Sequence, residues 1–384
     1  MSLFPNYIRQ EVAFQKGEKA TLWDTAGKTY LDFSSGIGVT NFGHNHPKIT
    51  NALTKQAEEL WHTSNLFTNP LQQEVADLLC EQSGLEAVFF CNSGAEANEA
   101  AIKLARKWAK EVKEVSNPEI ICSEGSFHGR TLATLTATGQ HKVKIGFDPL
   151  PKGFVHVPFQ DLHAIKQVTN SQTAAVLLEL VQGEGGIYPA SKPFVQELAQ
   201  WCQEKNILLM IDEIQTGIGR TGEKFAHQHY SIQPDVITLA KGLGNGFPVG
   251  AIVAKEDLKS ILGPGTHGTT FGGNLLSMSV AKAVLYELNN PQLLLDVKAK
   301  GNYLMNRLKE ELAQCSEVEE IRGIGLMVGI QLSKPVQPHI KQLLDQGLVT
   351  LPAGEKVLRL LPPLVITYDE IEEAVLRIKK AISK

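Results

Sequence analysis

Cysteine is scarce in this chain of 384 residues. The five present, Cys80, Cys91, Cys122, Cys202 and Cys315, are odd in number, scattered and without a CxxC spacing. They read as reduced thiols of a cytosolic protein, mostly in its core. Long apolar runs are absent too. The longest, such as 174–178 and 207–211, fall far short of a membrane span. From Met1 to Asn6 there is no basic region followed by an apolar stretch, so no signal peptide is expected. Nor does either charge dominate: 37 Lys and Arg against 41 Asp and Glu give −4, which leaves no electrostatic case for nucleic-acid binding. With 43% apolar and 20% charged residues the chain is not disordered, collagen-like or a coiled coil. No internal repeat and no low-complexity linker interrupts it. What is left is a soluble globular protein of two or three domains by length, able to bury about three quarters of its unfolded surface without disulfides.

From about residue 85 to 255, short apolar runs alternate with helical patterns. The runs 87–91, 120–122, 174–180, 207–211, 236–240 and 250–254 are mostly continuous, the pattern of strands covered on both faces. Between them Ala97, Ala100, Ala101, Leu104, Ala105 and Trp108 recur at helical spacing, as do Val195, Leu198, Ala199 and Cys202. This alternation predicts an α/β fold with a mainly parallel, doubly wound sheet. Before it lies a Gly-rich segment in which Asp24 to Gly27 predicts a hairpin turn. After it come a long helical stretch and a C-terminal block with strands at 328–331, 348–351 and 358–361, the makings of a smaller α+β domain. The expected division is 1–50 and 263–384 for the smaller part and 51–262 for the larger.

Ligands of open α/β sheets sit beyond the carboxyl ends of the strands. After 87–91 come Ser93, Gly94 and Ala95 and a helix start, a phosphate-binding arrangement or an ordinary cap with Glu96 as its box partner. After 207–211 come Asp212 and Glu213. Two adjacent carboxylates there are costly without a cationic partner, such as a protonated pyridine or a metal, unless they are solvated in a surface turn. After 236–240 comes Lys241, placed as a nucleophilic amine whose pKa desolvation would lower, or simply solvated. The glycines from Gly242 to Gly250 lack the GxGxxG spacing of a dinucleotide site, and Pro248 stands where its helix should run. Each signal alone is ambiguous, but together they supply what pyridoxal phosphate needs. His44 with His46 and His227 with His229 have a spacing that metals use, without a third ligand tied to them by pattern, so no metal is expected. The HExxH, GxSxG and Walker motifs are missing.

These residues resemble the class III pyridoxal-phosphate aminotransferases of fold type I. The resemblance runs from Leu22-Trp-Asp24 and Gly43-His-Asn-His-Pro47 to Leu361-Pro-Pro363. Its most specific pieces are Ser93-Gly-Ala-Glu-Ala-Asn98, Phe127-His-Gly-Arg-Thr131, Gln182-Gly-Glu-Gly-Gly186, Asp212-Glu-Ile-Gln215, Gly219-Arg-Thr-Gly222, Ala240-Lys-Gly242 and Thr270-Phe-Gly-Gly-Asn274. His62-Thr-Ser-Asn-Leu66, Leu351-Pro-Ala-Gly354 and Leu358 to Leu364 resemble the branch that acts on acetylornithine. One departure is Leu180, where the family usually has proline after the glutamate.

The resemblance implies pyridoxal 5'-phosphate as cofactor, with Lys241 as the Schiff-base lysine. It implies Asp212 at the ring nitrogen, Gln215 near the ring hydroxyl, Phe127 on the ring face and Ser93, Gly94 and Ala95 at the phosphate. Thr270 would reach that phosphate from the other subunit, so a homodimer with shared sites is implied. Arg130 would grip a substrate carboxylate, Thr269 would line the substrate site, and Glu184 would hold Arg359 until a dicarboxylic substrate needs it. The activity implied moves the terminal amino group of acetylornithine to 2-oxoglutarate in arginine biosynthesis, in the cytoplasm. Rivals are other ω-aminotransferases, acting on ornithine, succinylornithine or 4-aminobutyrate, an intramolecular aminomutase or racemase on the same fold, and, against the presence of Lys241, a binding module without catalysis. The aminomutase would need neither 2-oxoglutarate nor the Glu184 and Arg359 pair.

Overall fold

The computed structural model describes residues 2–382. Its centre is a seven-stranded sheet in the order Ala87–Cys91, Gly250–Ala254, Val236–Leu239, Leu208–Asp212, Thr173–Glu179, Glu119–Ser123, Phe154–Val157. Gly250–Ala254 is antiparallel to both its neighbours, and the other six strands run one way. The continuous apolar runs have a direct cause. Leu209 and Ile211 belong to one core cluster, while Leu208 and Met210 point to the opposite face and belong to another. Helices cover both faces, so neither set of side chains meets water. Fully burying a side chain of this size contributes roughly 1.5–3 kcal/mol. The helix Gly94–Glu111 lays its buried stripe of Ala97, Ala100, Ala101, Leu104, Ala105 and Trp108 on one of those faces.

The smaller part combines both ends of the chain. Asp24 closes the N-terminal hairpin by accepting from the Ala26 and Lys28 N–H groups at 2.9 Å each, with Gly27 at φ 81°. Leu348–Val349 adds to this hairpin in parallel, beside Thr29–Asp32. The span 348–351 is therefore not one strand. Leu351–Ala353 turns away to the edge of a second sheet, ordered Val318–Ile324, Met327–Leu332, Val357–Leu360, Leu351–Ala353. Pro352 lacks an N–H and is tolerated there because the strand is at an edge. Val318–Ile324 and Phe154–Val157 are strands that apolar runs do not reveal, being interrupted by charge or short and at an edge. One face of the second sheet packs Val328, Ile330, Leu358 and Leu360 on the helices Pro291–Glu311 and Tyr368–Ile382.

Arg220 joins the two parts. It is fully buried and donates to the carbonyls of Leu326 (3.0 Å) and Pro362 (2.5 Å) and to Asn41 Oδ1 (2.7 Å). Among the described residues, no helix is long and apolar enough to cross a membrane.

Candidate active site

The carboxyl ends of the parallel strands open on a cavity of about 400 Å³. Ser93, Gly94, Ala95, Phe127, Arg130, Glu184, Asp212, Gln215 and Lys241 all line it, together with Val39, His128 and Glu179.

Lys241 follows Val236–Leu239 in a left-handed conformation, φ 45°. That backbone state is disfavoured for a side-chain-bearing residue and persists only where its surroundings enforce it. The next residue, Gly242, has no room for a side chain, since a Cβ there would lie 2.4 Å from Asn41 Nδ2. Burial lowers the pKa of the Lys241 amine, and the Arg359 charge adds to this against the opposing fields of Glu184, Asp212 and Glu179.

Strand alternation separates the two adjacent acids. Asp212 points into the cavity, where His128 Nδ1 and Asn98 Nδ2 meet its Oδ2 at 2.8 Å and the Ile214 N–H donates to Oδ1 at 3.0 Å. Glu213 points the other way and accepts from the N–H groups of Ala226 and His227 at 2.8 Å. It is a structural cap. Burial disfavours charge on His128, but the bond to Asp212 and the fields of Asp212 and Glu179 raise its pKa above the ordinary value. Burial likewise pushes Glu179 up to about 7. Its carboxyl accepts from the Phe127 N–H at 3.0 Å. Leu180 is buried in the main core, and its carbonyl accepts from the Ala190 N–H at 2.9 Å.

Ser93 caps the helix by accepting from the Glu96 N–H at 3.2 Å. Glu96 reaches back to the Asn92 N–H at 2.7 Å. The cap leaves the first-turn N–H groups of Gly94 and Ala95 without partners inside the helix, at the cavity wall. Gly94 is seated against Ile214, whose Cδ1 would stand 2.9 Å from a Cβ.

Behind Glu184 and Gln215, and not itself lining the cavity, Arg359 is almost wholly buried and donates to Glu184 Oε1 at 2.5 Å, to the Gly183 carbonyl at 3.2 Å and to Gln215 Oε1 at 3.4 Å. Burial alone would raise the Glu184 pKa, but Arg359 and Lys241 hold it below the ordinary carboxylate range. Arg130 lies at the mouth, exposed, with its guanidinium 5.5 Å from the Phe127 ring centroid. Thr269 and Thr270 are outside the cavity. Thr269 Oγ1 accepts from Asn92 Nδ2 at 3.1 Å, and Thr270 is exposed.

Asn98, His128 and Glu179 complete the site without having been singled out by sequence reasoning. Asn98 and His128 stand within the motifs that begin at Ser93 and Phe127, and a buried carboxylate needing donors was the signal for them. Three of the four histidines with metal-like spacing are engaged elsewhere: His44 with Asp32, His227 with Glu213 and His229 with Thr221.

A desolvated amine, a carboxylate held by three donors and a helix start with open N–H groups fit a phosphorylated pyridine aldehyde. The class-III aminotransferase model matches residues 5–382, and the chain belongs to that family. It is 53% identical to an acetylornithine aminotransferase of Halalkalibacterium halodurans, over 100% of this chain and 98% of the relative. The ornithine aminotransferase of Toxoplasma gondii, described with pyridoxal phosphate at partial occupancy in its active site, superposes with a TM-score of 0.96 at 34% identity, covering 100% of this chain and 92% of that one. The acetylornithine aminotransferase of Elizabethkingia anophelis gives 0.89 at 34% identity, with 99% and 95% covered.

Proposed function

We propose that this protein is an acetylornithine aminotransferase. It moves the terminal amino group of N2-acetylornithine to 2-oxoglutarate, giving N-acetylglutamate 5-semialdehyde and glutamate, a step of arginine biosynthesis. The observation that carries this reading is the pairing of buried Arg359 with Glu184, which lines the cavity that holds Lys241.

Pyridoxal phosphate, when bound, supplies a protonated ring that accepts the charge left as a proton departs from the substrate. Ser93, Gly94 and Ala95 would hold its phosphate at the helix start, Phe127 its ring face, Gln215 its hydroxyl and Lys241 its aldehyde. Asp212 would keep the ring nitrogen protonated, and Asn98 and His128 hold Asp212 in place for it. Lys241 Nζ, its pKa lowered by burial, would take up and return the proton. Positioned transfer of this kind is worth about 10²–10⁴-fold.

Arg130 grips a substrate carboxylate, with Thr269 lining the substrate site. Arg359 takes the second carboxylate of 2-oxoglutarate, and Glu184 neutralises Arg359 when the amine donor is bound. A guanidinium suits this exchange because it pairs with a carboxylate through a fixed fork.

The working unit is a homodimer in which the partner subunit's Thr270 completes the phosphate site. Exposed Trp61, Leu66, Phe67 and Phe271 support this. They gather where Asn65 bonds the carbonyls of Thr269 and Gly272 and the His62 ring lies 5.5 Å from Phe271. Large apolar patches of this kind mark interaction surfaces. The setting is the cytoplasm, whose reducing poise suits five unpaired cysteines.

A half-reaction screen tests the assignment. Cofactor-loaded protein is mixed with acetylornithine, ornithine, succinylornithine or 4-aminobutyrate, and the cofactor's visible absorbance is followed. Acetylornithine should react fastest. A higher specificity constant for any of the others assigns the chain to that substrate instead.

A further inference from the structure

The C-terminal sheet carries a second arginine that donates to backbone carbonyls of the segment bearing Glu184. Arg322 stands opposite Gly329, and Gly329 stands opposite Arg359. Residues directly opposite one another in antiparallel strands share a face. Arg322, Gly329 and Arg359 therefore form one row across three strands, on the face away from the Val328, Ile330, Leu358 and Leu360 core.

The loop 183–187 lies across this row. At one end Arg359 holds the Gly183 carbonyl and the Glu184 carboxylate. At the other, Arg322 Nε donates to the carbonyls of Gly186 and Ile187, both at 3.1 Å, and Nη2 donates to Gly186 at 2.6 Å. Gly329 gives the loop its seat, because a Cβ there would lie 2.9 Å from the Ile187 Cβ. Arg322 is itself fixed. Its guanidinium is 3.7 Å from the Tyr188 ring centroid, and it donates to Glu320 at 2.7 Å and Gln331 at 3.1 Å.

The two arginines differ in what can replace their partners. Arg359 holds a side-chain carboxylate, which a substrate carboxylate can displace. Arg322 holds the backbone carbonyls of Gly186 and Ile187 and the carboxylate of Glu320 on its own strand, none of which lines the cavity that a substrate enters. We propose that Arg322 is a positioning residue for the Glu184–Arg359 switch: it anchors the loop so that Glu184 leaves and returns by side-chain rotation alone. This rests on the switch described above. With the anchor gone, Glu184 would drift with its backbone, and Arg359 would stand unpaired and buried during the amine-donor half-reaction, a costly state.

Single-turnover rates with acetylornithine and with glutamate, on cofactor-loaded wild type, Glu184→Ala, Arg322→Ala and the double variant, test this. In Glu184→Ala the glutamate-to-acetylornithine rate ratio should rise about tenfold, the effect of one charge-assisted hydrogen bond. Arg322→Ala should raise it by a similar factor. The double variant should match Glu184→Ala alone, because both changes disable one device. Arg322→Lys keeps the charge without the fork and should not restore the ratio. Hydrogen–deuterium exchange across 183–187 should quicken in Arg322→Ala. Gly329→Ala, which lifts the same loop from beneath, should shift the ratio the same way and serves if Arg322→Ala does not fold. Equal losses in both half-reactions for the Arg322 and Gly329 variants, with the Glu184→Ala ratio shifted, overturn the anchor alone. An unchanged ratio in Glu184→Ala overturns the switch, and the anchor with it.

Discussion

Glu179 shows how burial at a single residue turns into pH dependence. Its pKa rises from an ordinary 4.5 to about 7 because burial disfavours its charge, with the Asp212 charge nearby acting in the same direction. Between those values the folded protein keeps a proton that the unfolded chain has released. Its contribution to stability is therefore fully present below about 4.5, falls as pH rises, and is lost above about 7. Glu179→Gln removes this titration while leaving an oxygen for the Phe127 N–H. The stability difference, variant minus wild type, should grow as pH rises from about 5 to about 7, read as urea midpoints at a series of pH values. A flat difference would mean that Glu179 is ionised in the folded protein throughout. His128 moves the same way: with its pKa raised, its stabilisation is present below the ordinary histidine value and fades as pH climbs past the raised one. Neither role was legible in the sequence, although His128 stands within a recognisable motif, and the reason is distance along the chain. Asn98 and His128 reach Asp212 across separations of 114 and 84 residues, which no local pattern encodes. Asp212 and Glu213 looked alike for the same reason, until alternation along the strand set them on opposite faces.

Elements were legible in proportion to their burial. The inner strands of the large sheet are covered on both faces and so write themselves as continuous apolar runs. Edge strands such as Phe154–Val157 carry no such constraint and do not. Helix starts are legible through their caps, yet a cap does not say whether it also serves a ligand. Ser93 is a cap in the structure, and whether the same turn cradles a phosphate is a question for Gly94. A methyl group there must displace Ile214, which lines the cavity and donates its N–H to Asp212. In Gly94→Ala the displaced Ile214 side chain can relax only into the cavity, so pyridoxal phosphate binding should weaken by about tenfold, ~1.4 kcal/mol, with a smaller loss in the thermal midpoint of the cofactor-free protein. The penalty should shrink in an Ile214→Ala background, where the collision is gone. Titration of the cofactor by fluorescence quenching gives both numbers. Unaltered affinity in Gly94→Ala would remove the helix start from the phosphate site.

At the scale of the whole molecule, the proposed homodimer has each chain complete its neighbour's site. Thr270 is exposed and outside the cavity, while the segment around it carries Phe271 beside other exposed large apolar side chains. An arrangement in which each subunit lends Thr270 to its neighbour accounts for both facts. A subunit bearing Thr270→Val would then damage its partner's site, and one bearing Lys241→Ala would silence its own. In a mixed dimer both lesions fall on the same site, because the Lys241→Ala subunit receives the altered Thr270 and the Thr270→Val subunit receives the natural one. One site is then wholly intact. Each parent homodimer should be weak or inactive, and after subunit exchange the mixture should regain up to about half of wild-type activity per mixed dimer. Exchange is verified independently by native mass spectrometry with one parent isotopically labelled. If mixed dimers form and the activity stays at the parental average, Thr270 serves the chain that carries it, and the shared-site arrangement is wrong.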